Sequence, residues 1–348
     1  MSARPAERES PIEPPHPRET AALFGHESAE QALLTSYRSG RIAHAWLLGG
    51  PVGVGKATLA YRMARFVLAH PDPAAQEVQQ ARSLAVAADN PIARRVAAKS
   101  HGDLLALERT AGDSGQLRTV ITVDEVRRTI GFYGSTAGEG GWRVCVVDSA
   151  DELKFPEASN ALLKVLEEPP PRSLFLLVSH APGRLLPTIR SRCRRLELRP
   201  LAPDDVAKAA AAALGREVTD EDIQKASAAA DGSVARALAL LDGEHLALRE
   251  RILALLGQLP QTDPRALHAL GDSLERGGSD SFVTFVDTVR DWLSARLGRE
   301  VPDTGRLAQL AEVWEKLNRT ARDVEVFNLE RKPMVFAVFG SLAETARR

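Results

Sequence analysis

The chain has 348 residues, 44% of them hydrophobic and 26% charged, with a formal net charge of −1. That length carries two or three domains with sizeable cores, and the balanced charge excludes the global basic footprint behind strong nonspecific DNA binding, leaving only a local basic patch open. Two cysteines, Cys145 and Cys193, are too few for a disulfide framework or a four-ligand zinc site, which fits a reducing cytoplasm. No apolar run reaches the roughly 18 residues that span a bilayer, and no signal-peptide core opens the chain, so a cytoplasmic protein without membrane contact is expected.

Residues 1–18 (MSARPAERESPIEPPHPR) are rich in proline and charge and are expected to be a disordered leader. Ala29, Leu33 and Tyr37 recur about one turn apart and predict an amphipathic helix between Leu23 and Ser39, ended by Gly40. Ala45 to Leu48 reads as a buried strand. A glycine loop follows, then Leu59, Met63, Phe66 and Val67 at helical spacing.

Gly50, Gly55 and Lys56, with Gly53 inside the loop, fit the phosphate-binding pattern G-x-x-x-x-G-K-[ST] up to its last position. In such a loop, glycines let backbone amides close around phosphate oxygens, a helix N-terminus adds positive potential, and the lysine neutralises β/γ charge. The final hydroxyl normally holds magnesium, and here it is replaced by Ala57. Thr58 is one step along, about 100° round the helix. The loop reads as built to bind a phosphate and poorly built to transfer one; the plainer alternative is a glycine-rich turn without a ligand.

Residues 71–100 are Ala/Gln-rich with prolines near both ends and are expected to be an insertion on the rim of the core. Asp103 to Leu107 is a short strand candidate. Thr122 and Glu125 form a capping box for a helix through Val126 and Ile130, and Gly134 to Gly141 a flexible turn. Arg143 to Asp148 is a near-continuous apolar run ending in a carboxylate, as suits a central parallel strand. A helix from Pro156 to Glu168 is stopped by Pro169, Pro170 and Pro171. Strand Leu174–Val178, short helix Gly183–Arg192 and strand Arg195–Leu198 complete the pattern. Strands alternating with helices on short loops predict an α/β domain over 19–200, a parallel sheet covered on both faces.

After Pro200 the strands vanish. An alanine-rich helix over 203–215, a second capped by Thr219 and a third after Asp231-Gly232 predict a small helical domain over 201–243. From 244 to 348 the apolar positions Leu253/Leu256, Phe282/Phe285/Val289/Trp292, Val313/Leu317 and Val335/Phe336/Phe339 predict a separate bundle of four or five helices.

Asp148 stands where nucleotide hydrolases keep a carboxylate near magnesium, but the next residue is Ser149 rather than an acid that orients water. Asp151-Glu152 comes two residues too late and reads as the start of the next loop. With Ala57, two parts of a hydrolytic site are missing, each worth several kcal/mol of transition-state stabilisation. Arg190-Ser-Arg-Cys-Arg-Arg195 concentrates four arginines. They form either a solvated basic turn or a guanidinium offered to a phosphate across an interface, where such fingers are worth about 10³–10⁵ in rate. Cys193, with no histidine or aspartate adjacent, and mid-strand Cys145 read as packed residues. The Phe282/Phe285/Trp292 face reads as bundle interior, and His26 and His44 lack metal-ligand spacing.

Asn160-Ala-Leu-Leu-Lys-Val-Leu-Glu-Glu-Pro-Pro170, Leu174-Phe-Leu-Leu-Val178, Leu186-Pro-Thr-Ile-Arg-Ser-Arg-Cys193, Gly40-Arg-Ile-Ala-His-Ala45 and Asn328-Leu-Glu-Arg-Lys332 closely resemble the clamp-loader subunits of bacterial DNA polymerase III, of the AAA+ ATPase class. The resemblance implies an AAA+ phosphate-loop domain, a helical lid and a C-terminal helical collar that oligomerises. It also implies a five-subunit ring that sets the β sliding clamp on primed DNA with motor (gamma/tau) and delta subunits. Motor subunits carry a hydroxyl after the lysine, an Asp-Glu pair and a lid arginine in Gly-Ser-x-Arg. Here stand Ala57, Asp148-Ser149 and Gly232-Ser-Val-Ala-Arg236, with the arginine displaced by one. The chain therefore looks like the stator, delta-prime type, with Arg192 reaching the ATP of the adjacent motor; the alternative is an ATP-hydrolysing motor subunit. ATP on Gly50, Gly53, Gly55, Lys56, Ala57, Thr58 and Asp148 stays open. Many relatives carry a four-cysteine zinc module after the loop, but residues 71–105 hold no cysteine and no zinc is predicted. A phosphate-loop kinase is a third reading, disfavoured because the helical last third and the Ser-Arg-Cys motif would have no role in it.

Overall fold

The computed structural model describes residues 15–111, 118–134, 141–242, 245–299, 304–327 and 329–347. Residues 12–238 form one compact unit, and a second begins at Ala239. The first opens with α1 (Glu27–Arg38), β1 (Ala45–Gly49) and α2 (Lys56–Ala69). Two short helices, α3 (Gln76–Gln80) and α4 (Pro91–Ala97), precede β2 (Leu104–Leu107) and α5 (Val123–Gly134). Then come β3 (Arg143–Val147), α6 (Glu157–Glu167), β4 (Ser173–Ser179), α7 (Pro187–Arg192) and β5 (Arg194–Glu197). Three helices, α8 (Pro203–Leu214), α9 (Glu221–Ala229) and α10 (Val234–Leu241), close the unit, whose boundary falls inside α10.

The five strands form one parallel sheet in the order β2-β3-β4-β1-β5. The period of two along each strand sends alternate side chains to opposite faces. Trp46, Leu48, Val144, Val146, Leu174 and Leu176 pack with Leu33, Tyr37, Leu59, Met63 and Phe66 of α1 and α2. Leu47, Cys145, Val147, Phe175 and Leu177 pack with Val126 of α5, Leu162 and Leu166 of α6 and Ile189 of α7. Both faces of β1 and β4 are covered along their whole length, and those of β3 from Val144 on, so these inner strands are almost wholly apolar, whereas β5 at the edge carries Arg194, Arg195 and Glu197. Each fully buried side chain of this size contributes about 1.5–3 kcal/mol, and together they fix the sheet before any site chemistry is added.

Three expectations change. Residues 71–100 are no rim insertion: Val78, Leu84 and Val96 are fully buried in the same core as α2, which α4 packs against. The cap of α9 is Asp220, which accepts from the backbone N–H groups of Asp222 at 3.0 Å and Ile223 at 3.5 Å, rather than Thr219. Residues 15–18, read with the leader, are docked: Arg18 Nε donates to the Ala97 carbonyl at 3.1 Å, and Arg65 donates to the Arg18 carbonyl at 2.8 Å. Most of the leader and residues 135–140 of the expected turn lie outside the described residues. The hydroxyl of Thr122 does cap α5, accepting from Glu125 N–H at 3.4 Å, while the Glu125 carboxylate pairs with Arg128 at 2.6 Å.

The second unit holds α11 (His245–Gly257), α12 (Pro264–Arg276), α13 (Gly278–Arg299), α14 (Thr304–Phe327) and α15 (Lys332–Arg347). α11 packs on α13, α13 on α14, α14 on α15, and α15 returns to α12. Ile252, Leu256, Leu270, Phe282, Phe285, Val289, Leu317, Val335 and Phe339 fill the shared interior. Leu253, expected inside, is 36% exposed, and Trp292 is half-buried beneath the Arg296 guanidinium at 4.2 Å from its ring. Asn328 of the Asn328–Lys332 run lies outside the described residues; Glu275 accepts from the backbone N–H groups of Arg331 and Lys332 and so caps the start of α15. No helix among the described residues is long and apolar enough to cross a membrane.

Candidate functional site

The sheet order places β1 between β4 and β5, so the loop Gly50–Gly55 emerges at the carboxyl edge of the sheet, where open α/β sheets form ligand crevices. Gly50, Gly53 and Gly55 all have positive φ. The N-cap of α2 is Gly55, with no side-chain cap and no acidic residue in the first turn, so the helix start presents bare backbone amides. No hydrogen bond to a described residue engages the backbone N–H groups of residues 53–57. This is the arrangement that favours an anion.

Lys56 is 3% exposed, and its ammonium donates to the carbonyls of Gly50 at 2.7 Å and Pro51. Burial pushes its pKa down to about 8, against the attraction of Asp148, Asp151 and Glu197. Asp148 faces the same space. Burial first, then the negative charges of Glu108 and Glu152, raise its pKa to about 6, with Lys56 opposing. Among the described residues no group of three or more His, Cys, Asp or Glu side chains is arranged to hold a metal ion.

Two glycines of the loop are needed for close approach by protein. A Cβ on Gly50 would lie 2.2 Å from the Leu198 carbonyl oxygen beyond β5, and one on Gly53 would lie 2.2 Å from Ser233 Oγ. At the second contact the start of α10 sits on the loop, and the Val234 N–H donates to the Gly53 carbonyl at 2.9 Å. His26 joins the scaffold, its Nε2 bonded to the Val54 carbonyl at 2.6 Å.

A cavity of about 460 Å³ opens from the loop. Gly53 to Thr58, Asp148 and His180 line its polar part; Ala21 to Phe24, Leu201, Ala212 and Leu238 form apolar walls. That volume lies within the usual range for small-molecule sites, and the split between an anion-binding end and an apolar end suits a nucleotide. Ala57 and Thr58 both line it, so a hydroxyl is present beside the site but not at the motif position. The wall at residues 19–24 is held by α2: Arg65 donates to the Thr20 carbonyl at 2.6 Å and Arg62 to the Ala21 carbonyl. Burial lowers the Arg65 pKa to about 10. This wall was hidden in the sequence, since nothing in the irregular stretch Glu19 to Phe24 announces its neighbours.

Asp151 is held within the chain. It accepts from Ser149 Oγ and Ser179 Oγ at 2.8 Å each, from Ala181 N–H at 3.2 Å and from His180 N–H, joining the ends of β3 and β4. Burial pushes its pKa up, yet these bonds prevail and hold the carboxylate below its usual range. Arg236, the arginine of the Gly232-Ser-Val-Ala-Arg236 run, pairs with Asp231 at 2.9 Å. The thiols of Cys145 and Cys193 are both buried, and burial pushes the Cys193 pKa up to about 12.

Arg192 ends α7, two residues before β5. Strands β1 and β5 run parallel, with Trp46 opposite Arg194 and Gly49 opposite Glu197. Arg192 therefore lies at the amino edge of the sheet, and the phosphate loop at the carboxyl edge. At about 3.3 Å per residue, the four residues of β5 alone separate them by about 10 Å. The guanidinium is about a third exposed and pairs with Glu167 at 2.7 Å.

Residues 25–202, about half of the chain, match the family described as DNA polymerase III, delta subunit. The chain is 39% identical over 165 residues to the DNA polymerase III subunit delta' of Pseudomonas aeruginosa, covering 47% of this chain and 46% of that one. It is 32% identical over 277 residues to subunit delta' of Escherichia coli, covering 74% and 77%. The match to subunit gamma/tau of Mycobacterium bovis is 29% identical over 259 residues, covering 73% of this chain but 40% of that longer protein. The aligned stretch thus spans less than half of the Pseudomonas and Mycobacterium relatives.

Proposed function

The chain belongs to the DNA polymerase III delta-prime family of clamp-loader subunits, and on that premise we propose that it is the stator of the loader. It joins gamma/tau-type motor subunits and a delta subunit, helps set the β clamp on primed DNA, and supplies Arg192 to a neighbour's ATP. The observation that carries this reading is the position of Arg192 on the sheet edge away from its own phosphate loop. A guanidinium there cannot serve its own nucleotide and is placed to serve another subunit's once it leaves Glu167, where it would stabilise charge on the transferring phosphoryl group.

The chain's own pocket is a degenerate nucleotide site. The loop amides and Lys56 would hold phosphates, and the apolar end would hold the base. Magnesium would lack its hydroxyl at Ala57, and no acid follows Asp148 to orient water, so nucleotide is held without being hydrolysed. The gamma/tau similarity supports a second reading, a motor that hydrolyses ATP itself.

Reconstitution with motor subunits, delta, clamp and primed DNA tests both. Arg192→Ala should leave ring assembly intact and cut the stimulated ATPase about 10²-fold or more. A normal rate in that ring refutes the finger. Brisk ATP hydrolysis by the isolated chain, abolished by Lys56→Ala, refutes the stator.

A further inference from the structure

We infer that Glu167 parks the Arg192 guanidinium on this chain's own surface, and that breaking their ion pair gates delivery of the finger to the neighbouring phosphate; the inference rests on the finger reading above. Arg192 Nη2 donates to Glu167 Oε1 at 2.7 Å, and Nη1 donates to the Thr188 carbonyl at 3.0 Å. Two of the three guanidinium nitrogens are thus occupied within the chain. A carboxylate seated on the guanidinium also repels any phosphate approaching it, so full engagement requires Glu167 to let go.

The placement is built by the core. Glu167 is the last residue of α6 and Arg192 the last of α7, and each ends a helix anchored by a buried side chain, Leu166 and Ile189, both 1% exposed. These two belong to one apolar cluster, which brings the two helix ends together across 25 residues of sequence. Pro169 to Pro171 prevent α6 from continuing, so the carboxylate stays at a helix end. Among the described residues, Arg192 is the one arginine between 190 and 195 paired with a carboxylate; Arg194 instead lies 4.9 Å from the Trp46 ring centroid.

The pair is weak enough to act as a gate. The two side chains are 35% and 43% exposed, and an exposed ion pair biases an equilibrium by about fivefold at most. The parked state therefore lowers the resting rate without blocking the stimulated one. Glu167 here is a positioning residue that acts through Arg192.

The test uses the loader assembled from this chain, motor subunits and delta, with ATPase followed alone and with clamp and primed DNA. Glu167→Gln should raise the unstimulated kcat about three- to fivefold, leave KM for ATP within twofold and leave the stimulated rate unchanged. In an Arg192→Ala background Glu167→Gln should do nothing, because a gate has no effect without its finger. An unchanged or lower unstimulated rate in Glu167→Gln overturns the gate, as does a change of equal size that persists without Arg192. If Arg192→Ala itself leaves ATPase normal, the finger reading fails and the gate with it. If Arg192→Ala is inactive and Glu167→Gln is silent, only the gate fails.

Discussion

Replacing Gly53 by alanine separates the two reasons a phosphate loop can have for keeping a glycine. Gly53 has φ +76°, where an L-residue is strained by roughly 1–2 kcal/mol, partly offset by the lower entropy of the unfolded alanine chain. The added Cβ would also stand 2.2 Å from Ser233 Oγ and 2.7 Å from Ala235 Cβ. Both residues sit at the start of α10, which must draw back and stretch the bond from Val234 N–H to the Gly53 carbonyl, worth about 1 kcal/mol net. Overpacking adds about 1 kcal/mol more, for a total near 3 kcal/mol. Gly40→Ala is the matched control: φ is +67°, but nothing lies within 4 Å of its Cβ, so it feels strain alone, about 1 kcal/mol. Urea denaturation followed by far-ultraviolet circular dichroism should show Gly53→Ala to be less stable than Gly40→Ala by about 2 kcal/mol. Equal losses would mean that the loop and α10 are not in contact, and the account of the loop as a structural seat for the helical segment would be refuted.

Asp151→Ala removes the acceptor of four hydrogen bonds and should cost about 3 kcal/mol at pH 7 by the same measurement. Because the folded carboxylate is held below its usual range, the stabilisation is present above about pH 4 and lost as pH falls through the folded pKa, so mutant and parent should converge in acid. Asp148→Asn should act with the opposite sign: a carboxylate raised to about 6 penalises folding above that pH, so the variant should be more stable by about 2 kcal/mol at pH 8, with no gain below about pH 4. A destabilised Asp148→Asn at pH 8 would count against the buried, charged state. Binding of ADP in the presence of EDTA, measured by calorimetry, should weaken as pH rises through about 8, where Lys56 loses its proton, and Lys56→Ala should remove that pH dependence. Leu166→Ala should cost about 2–5 kcal/mol in thermal or urea unfolding, because the side chain is 1% exposed between α6 and the sheet.

Much of the fold was legible because the signals are local. The apolar runs 45–48, 144–147 and 174–178 are strands because both of their faces are covered, which makes every position apolar and the run unmistakable. Proline and glycine punctuation set the helix limits to within a few residues, as Pro169 does for α6. The stretch 71–100 failed for the complementary reason. Helices of five and seven residues carry too few turns for periodicity to reveal that Val78 and Val96 are core, and Leu84 lies in the irregular segment between them. Thr219 lost the cap of α9 to Asp220 because both residue types can cap, and only the backbone at each position decides between them.

What the sequence by itself determined is chemical: a lysine without its hydroxyl partner, an aspartate without an acid after it, and an arginine-rich turn inside motifs specific enough to name a family. Those facts depend on residue identity and short spacing, which survive any arrangement of the elements. Only the tertiary structure decided where the pieces meet. The sheet order sends Arg192 to the edge opposite the phosphate loop, ties Asp151 to the end of β4, folds residues 19–24 across the cavity and sets Glu167 against Arg192. Each is a contact between residues dozens of positions apart, created by burying two helix faces and two sheet faces at once. No local period encodes which of those faces will share a core.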